Sequence, residues 1–145
     1  MSEETSARQL VVFTLGAEQY ALPIQQVHEI IRYAQPRSVA STVDWVRGVI
    51  SLRGRIVPVY DLAARLGVDS ELSEQTKIVI VETESETAGV IVDDVEEVLT
   101  IEDRQIEEVP GADSTLIESI AKIGERLVVL LKPSMLLAGS GLAAV

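Results

Sequence analysis

The chain has 145 residues, one domain or two very small ones, and at this length roughly 68–70% of the unfolded surface can be buried without staples. Hydrophobic residues make up 47% but aromatics only 3%, and there is no cysteine; the core is therefore Val, Ile, Leu and Ala, and disulfides, thiolate metal sites and a cysteine nucleophile are excluded. The net charge of −11 is concentrated in residues 71–108, where thirteen acids face Lys77 and Arg104, which disfavours nucleic acid and anionic lipid as partners.

That acidic segment reads either as a solvated face or as a docking surface for a basic partner. Residues 1–9 are polar and carry no apolar h-region, so they do not read as a signal peptide. No apolar run approaches the roughly 20 residues needed to span a bilayer. Leu10-Val11-Val12-Phe13-Thr14-Leu15 predicts a strand, residues 16–19 a turn, and Tyr20-Ala21-Leu22-Pro23-Ile24 the returning strand of a hairpin. Residues 25–29 fit one helical turn before Ile30 and Ile31, which places His28 on the turn between strands. Residues 35–44 are polar, contain Pro36 and read as a loop. Residues 49–52 and 56–60 flank Arg53-Gly54-Arg55 as a second hairpin, and Pro58 calls for an edge strand or a bulge because it has no N–H. Asp61 as N-cap and Gly67 as stop predict a short helix between them. The tail 136–145 is small and apolar, is broken by Gly139 and Gly141, and reads as a frayed end.

The second half repeats the first. Shifted by 68, Leu22, Ile24, Val27, Ile30 and Ile31 fall on Val90, Val92, Val95, Val98 and Leu99, while Glu29 falls on Glu97. Shifted by 71, Val49, Leu52, Ile56, Val57, Val59 and Tyr60 meet Ile120, Ile123, Leu127, Val128, Leu130 and Leu131, while Arg55 meets Arg126. Two matches in the same order at nearly one offset indicate a duplicated unit of about five strands. That is the size of a small closed barrel. The expected fold is all-β: two small five-stranded barrels of OB- or SH3-like size in pseudo-tandem duplication, with short helices. The units run over about 8–70 and 76–138 of a single 1–145 domain.

Catalytic patterns are scarce. His28 is the sole histidine, so neither a multi-histidine metal cluster nor a second histidine for a triad is available. No glycine-rich phosphate loop exists, since Gly48 and Gly54 are not followed by Lys-Ser or Lys-Thr. Asp93, Asp94, Glu96 and Glu97 make the one enzyme case, a small acidic hydrolase, because paired carboxylates can divide acid and base roles. Neighbours along a strand point in different directions, however, so few of these four can converge. Calcium is disfavoured by the lack of an alternating-ligand loop with a central glycine. The expectation is no enzyme, no cofactor and no metal. Arg47, Arg53 and Arg55 bracket the second hairpin, suited either to solvation or to bidentate pairing with carboxylates at an interface.

Val46-Arg47-Gly48-Val49-Ile50-Ser51-Leu52-Arg53-Gly54-Arg55-Ile56-Val57-Pro58-Val59-Tyr60-Asp61-Leu62 closely resembles the hallmark segment of the CheW family of bacterial chemotaxis coupling proteins, G-V-x-N-L-R-G-x-I-V/I-P-V/I-x-D-L. Residues 13–30 resemble the family's opening hairpin with its V-x-E-I ending, and Gly89-Val90-Ile91-Val92-Asp93-Asp94-Val95 resembles its G-x-x-V-D-x-V strand. The resemblance spans about 9–137; Ser51 departs from the family's asparagine. It implies two barrels that exchange segments, and a cytoplasmic, non-enzymatic adaptor recruited to receptor arrays at the inner membrane. Its implied partners are the cytoplasmic tips of chemoreceptors and the regulatory domain of the histidine kinase CheA, which shares the fold. Nucleic acid and direct membrane contact are not among them. Carried over by position, Val27, Glu29, Ile31 and Arg53 fall on the receptor side, with Arg53 pairing to Glu29 across the groove between barrels. Arg47 and Ile56 fall on the kinase side. A start at Met1 and a length of 145 favour a stand-alone adaptor over a fused one. A same-fold scaffold of a pilus-motility or other chemosensory system is the alternative.

Overall fold

Lys77-Ile78-Val79-Ile80-Val81-Glu82 places four apolar residues in a row, a pattern that suits a strand covered on both faces. A computed structural model of the protein describes residues 7–41, 43–108 and 116–141, and in it all four of those side chains are fully buried. Residues 1–6 of the polar start, Thr42 in the loop and residues 142–145 of the tail lie outside the described residues.

The strands are β1 (Ala7–Leu15), β2 (Glu18–Pro23), β3 (Val27–Arg32), β4 (Val46–Leu52) and β5 (Arg55–Asp61), then helix α1 (Leu62–Leu66). There follow β6 (Lys77–Glu82), β7 (Thr87–Val92), β8 (Asp94–Glu102), the two-residue β9 (Ile106–Glu107), β10 (Ile117–Ile123), β11 (Arg126–Leu131) and helix α2 (Pro133–Leu137). Asp61 caps α1 by accepting from the Ala64 N–H at 3.0 Å, and Gly67 ends it in the left-handed conformation.

One sheet has the order β8-β1-β2-β11-β10-β9, the other β3-β6-β7-β5-β4. Each takes its first hairpin from one half of the chain and its remaining strands from the other. Each sheet has two cross-half joints, one antiparallel (β1 with β8, β3 with β6) and one parallel, and the parallel ones match under the sequence shifts: Ala21 lies beside Leu130 as Gly89 lies beside Val59. In each sheet the chain leaving one edge strand, β8 or β3, reaches the strand at the other end. Glu107 pairs with Ile120 in the first sheet, and Arg37 bridges to Val49 in the second. Gly48 makes the second closure possible: its φ is 142°, and a Cβ there would lie 2.1 Å from the Arg37 carbonyl oxygen.

Three apolar layers result. Leu10, Val12, Ala21, Val128 and Leu130 fill the first barrel, and Val59, Ile78 and Ile80 fill the second. The alternate residues of the same strands (Phe13 and Leu15, Val79 and Val81, Tyr60, Leu131) meet in a larger layer with Trp45 and both helices. Strands with two buried faces thus account for the continuous apolar runs.

Several expectations are corrected. The first turn is only Gly16-Ala17, and the helical turn before β3 is a single 3-10 turn, Ile24–Gln26, so His28 lies within β3. The first sheet has six strands, because β9 adds a short rung. β5 is not an edge strand: it lies between β7 and β4. Pro58 is tolerated there for a local reason. Val49, its partner on β4, spends its N–H and C=O on Arg37, so the Pro58 nitrogen faces β7, whose pairing with β5 begins only at Val59. The tail is not frayed where it is described, for Leu136 and Leu137 form α2 and are fully buried in the shared layer.

Candidate docking surfaces

The β4–β5 hairpin turns through two residues with positive φ, Arg53 at 51° and Gly54 at 80°. A tight hairpin that matches strand twist requires this, and it is uncommon for a residue as bulky as arginine. The turn directs the Arg53 side chain toward β3, the opposite edge of the same sheet. There Nη2 donates to Glu29 Oε1 at 2.9 Å and Nη1 donates to Oε2, a fork-to-fork pair. The hydrogen bonds from Arg53 hold the Glu29 carboxyl below its ordinary range; partial desolvation opposes this, and the Arg53 and His28 charges add to it. The expected pair is present, but its role is corrected: both partners belong to one sheet, so it straps β3 to the hairpin of one barrel and does not cross a groove between barrels.

Alternation along β3 sorts the other residues expected on the receptor side. Val27, Glu29 and Ile31 are half-buried, whereas His28, Ile30 and Arg32 are exposed. Val27 packs on the shared layer and Ile31 on the second barrel's interior. The solvent-facing residues of this strand are therefore the three between them.

Arg47 and Ile56 are not brought together. Arg47 sits at the base of the hairpin, where it donates to Asp61 Oδ2 at 2.9 Å and to the Asp44 carbonyl. It borders a cavity of about 300 Å³ with Tyr33, Leu72 and Thr76. Ile56 is 68% exposed near the hairpin tip, about 13 Å away at a strand rise of ~3.3 Å per residue. It borders a cleft of about 850 Å³ with Pro58, Tyr60, Glu86, Leu137 and Ser140. Burial pushes up both the Tyr60 phenol and the Glu86 carboxyl, and the phenol donates to Glu86 Oε1 at 3.4 Å.

The carboxylates of 93–97 are engaged separately. Asp93 accepts from the Gly16 N–H at 2.8 Å and from the Ser70 hydroxyl, Asp94 accepts from the Val95 N–H at 2.8 Å, and Glu97 pairs with Arg126 at 2.7 Å. Among the described residues no group of three or more His, Cys, Asp or Glu is placed to hold a metal ion, and no helix is long and apolar enough to cross a membrane.

The Glu97–Arg126 pair is a strap that the sequence reading did not recognise. It lies in the first barrel and uses the counterpart of Glu29, but its arginine is the counterpart of Arg55 and not of Arg53, and Arg126 also donates to Gln19 Oε1 at 3.0 Å. The signal was present: the shifts that align the halves carry Glu29 to Glu97 and Arg55 to Arg126. They also carry exposed Ile30 to exposed Val98, and exposed Ile56 to exposed Leu127. Each barrel thus presents the same two apolar positions and one arginine–carboxylate strap.

Residues 9–140 match the family model of the CheW-like domain. The chain is 32% identical to the chemotaxis protein CheW of Klebsiella aerogenes, an alignment that covers 100% of this chain and 90% of that one. Protein PilI of Pseudomonas aeruginosa is 33% identical over 57% of this chain and 47% of its own length. The crystal structure of the scaffolding protein TtCheW from Thermoanaerobacter tengcongensis superposes with a TM-score of 0.87 at 34% identity, over 97% of this chain and 99% of that one. Sequence and fold agree: the chain belongs to the CheW-like family of chemotaxis scaffold proteins, which are adaptors and not enzymes.

Proposed function

We propose that this protein works in the cytoplasm as the adaptor that couples chemoreceptor cytoplasmic tips to the regulatory domain of the histidine kinase CheA, within arrays at the inner membrane. The observation that carries this reading is the Glu29–Arg53 strap, which fixes β3 and the β4–β5 hairpin as one rigid unit with two faces. The receptor face is the edge strand β3: Val27 and Ile31 seat it on the core, the Glu29–Arg53 pair holds it, and exposed Ile30 on its solvent side supplies apolar area. The kinase face is the cleft bordered by Ile56, with Arg47 bracing the base of the same hairpin against Asp61. A receptor tip and a kinase domain can then bind one adaptor together, since β3 and the β4 strand of the hairpin are the two opposite edges of one sheet. A scaffold for a pilus-motility system is the second reading; it has less behind it, because the likeness to PilI covers 57% of the chain against 100% for the chemotaxis relative. Reconstitution decides the matter: receptor fragment, kinase and this chain should form a ternary complex in which kinase activity becomes receptor-dependent. A chain that binds either partner alone but never both would refute coupling.

A further inference from the structure

Arg65 lies on α1, in the first half of the chain, yet its side chain serves the second half. Nη2 donates to the carbonyls of Met135 at 3.1 Å and Ala138 at 3.2 Å, at the carbonyl end of α2. Its guanidinium carbon stands 4.4 Å from the centroid of the Trp45 ring, which in turn meets Tyr60 edge-on at 5.0 Å. Nε is buried and meets no acceptor among the described residues. A buried orphan N–H is costly, so the other contacts of this side chain must outweigh it.

What those contacts hold in place is a wall. Leu137, Gly139 and Ser140 border the cleft that Ile56 enters. α2 has five residues, too few to persist without tertiary support, and its last carbonyls need donors. Internal duplication shows that the fold itself does not demand this arginine. The shift of 71 that aligns α1 with α2 carries Arg65 to Leu136, a fully buried leucine. The two halves therefore diverge at the position that grips the cleft wall.

We propose that Arg65 is a positioning residue for the docking cleft. By bridging two carbonyls of α2 and stacking on Trp45, it fixes residues 132–141 as the wall against which the partner of Ile56 seats. This rests on the cleft being the kinase face, and the test separates the two ideas. Arg65→Met keeps the apolar stem and removes the grip. Arg65→Lys keeps a charge but cannot bridge two carbonyls while stacking, so it should behave like Met. Amide exchange at Leu136 and Ala138 is measured in the full chain, and affinity is measured for the kinase regulatory domain and for a receptor fragment, with Ile56→Asp as the control for the cleft.

Both Arg65 variants should exchange about tenfold faster at Leu136 and Ala138, as expected for a lost pair of hydrogen bonds. Kinase binding should weaken about tenfold, while receptor binding and exchange at residues 78–81 stay unchanged. Unaltered exchange at α2 would overturn the proposal. So would faster exchange with undiminished kinase binding while Ile56→Asp still weakens it. If Ile56→Asp leaves kinase binding intact, the cleft is not the kinase face, and the positioning role falls with it whatever the exchange shows.

Discussion

Ile56→Asp tests the kinase face most directly, and its cost can be worked from exposure. Full burial of an isoleucine side chain contributes about 1.5–3 kcal/mol, and Ile56 is 68% exposed in the free chain. Folding therefore has about 0.5–1 kcal/mol at stake, a Tm shift of roughly 2–3 °C for a domain of this size. Docking would bury the remaining two-thirds, worth about 1–2 kcal/mol, and the variant would also place a carboxylate in an interface beside Glu86. The expected loss is about 2–4 kcal/mol, roughly 30- to 1,000-fold in Kd. Ile56→Ala, which forfeits only the apolar contact, should lose about tenfold. Titration calorimetry against the kinase regulatory domain, and separately against a receptor cytoplasmic fragment, reads both faces. Receptor affinity should stay within about twofold. Equal losses on the two partners with an unchanged far-UV spectrum would show that the hairpin does not separate the faces. No loss on either would remove Ile56 from the interface.

Four further outcomes are expected. Glu29→Ala and Arg53→Gly should each weaken receptor binding, with the double variant losing less than the two losses combined; glycine suits the φ of 51°, so that variant removes the strap and spares the turn. A cycle showing strict additivity would end the strap's role. Because the Glu29 carboxyl is held below its ordinary range, the strap's contribution is complete above pH 4.5 and disappears only as pH falls through the lowered value, which receptor binding across an acid titration would show. Glu86 has the opposite sign: its raised carboxyl penalises folding once pH passes the ordinary 4.5, so Glu86→Gln should stabilise the chain at pH 7 and leave it unchanged in acid, as thermal melts at both pH values would reveal. Leu137→Ala should cost about 2–5 kcal/mol in urea unfolding, since the side chain is fully buried; a loss under 1 kcal/mol would mean that α2 is dispensable to the core.

The features legible in the sequence were those written locally. Gly54 after Arg53 between β-branched runs specifies a tight hairpin, and Asp61 with Gly67 brackets a helix, because each signal satisfies its own backbone groups within a few residues. For Pro58 only the edge-strand alternative fails, because its tolerance depends on Arg37, twenty-one positions away, which takes the hydrogen bonds of Val49 and leaves Pro58 facing an unpaired stretch; a register shift does lie in the same ladder, between Val46 and Gly48. The tail was misread for a similar reason. Gly139 and Gly141 are genuine breakers, but Leu136 and Leu137 lie before them and are secured by Trp45 and Arg65, neither of which is near in sequence. The strap between Glu29 and Arg53 was legible as a pair of opposite charges on resembling motifs. Which surfaces it joined was not, since strand order alone makes β3 and β4 the two edges of one sheet.

That strand order is the deepest point periodicity could not reach. With two similar units, a hairpin from one half fits the remaining strands of either half with the same apolar pattern, and alternation is blind to the choice. The choice nonetheless determines the chemistry of the surface. Had each unit closed on itself, β1 and β2 would line the barrel that holds Arg53, and the two halves would meet through a dispensable interface. Exchange instead makes the layer of Phe13, Tyr60, Val79 and Leu131 common to both barrels, so neither can turn against the other without opening the core. An adaptor that must hold one partner at a fixed angle to another needs such rigidity. Here it arises because Val59 sits beside Gly89 and Leu130 beside Ala21, joints that tie one half of the chain to the other. The duplicated exposed positions, Ile30 with Ile56 and Val98 with Leu127, are then held in one fixed relation by the same backbone that buries the core.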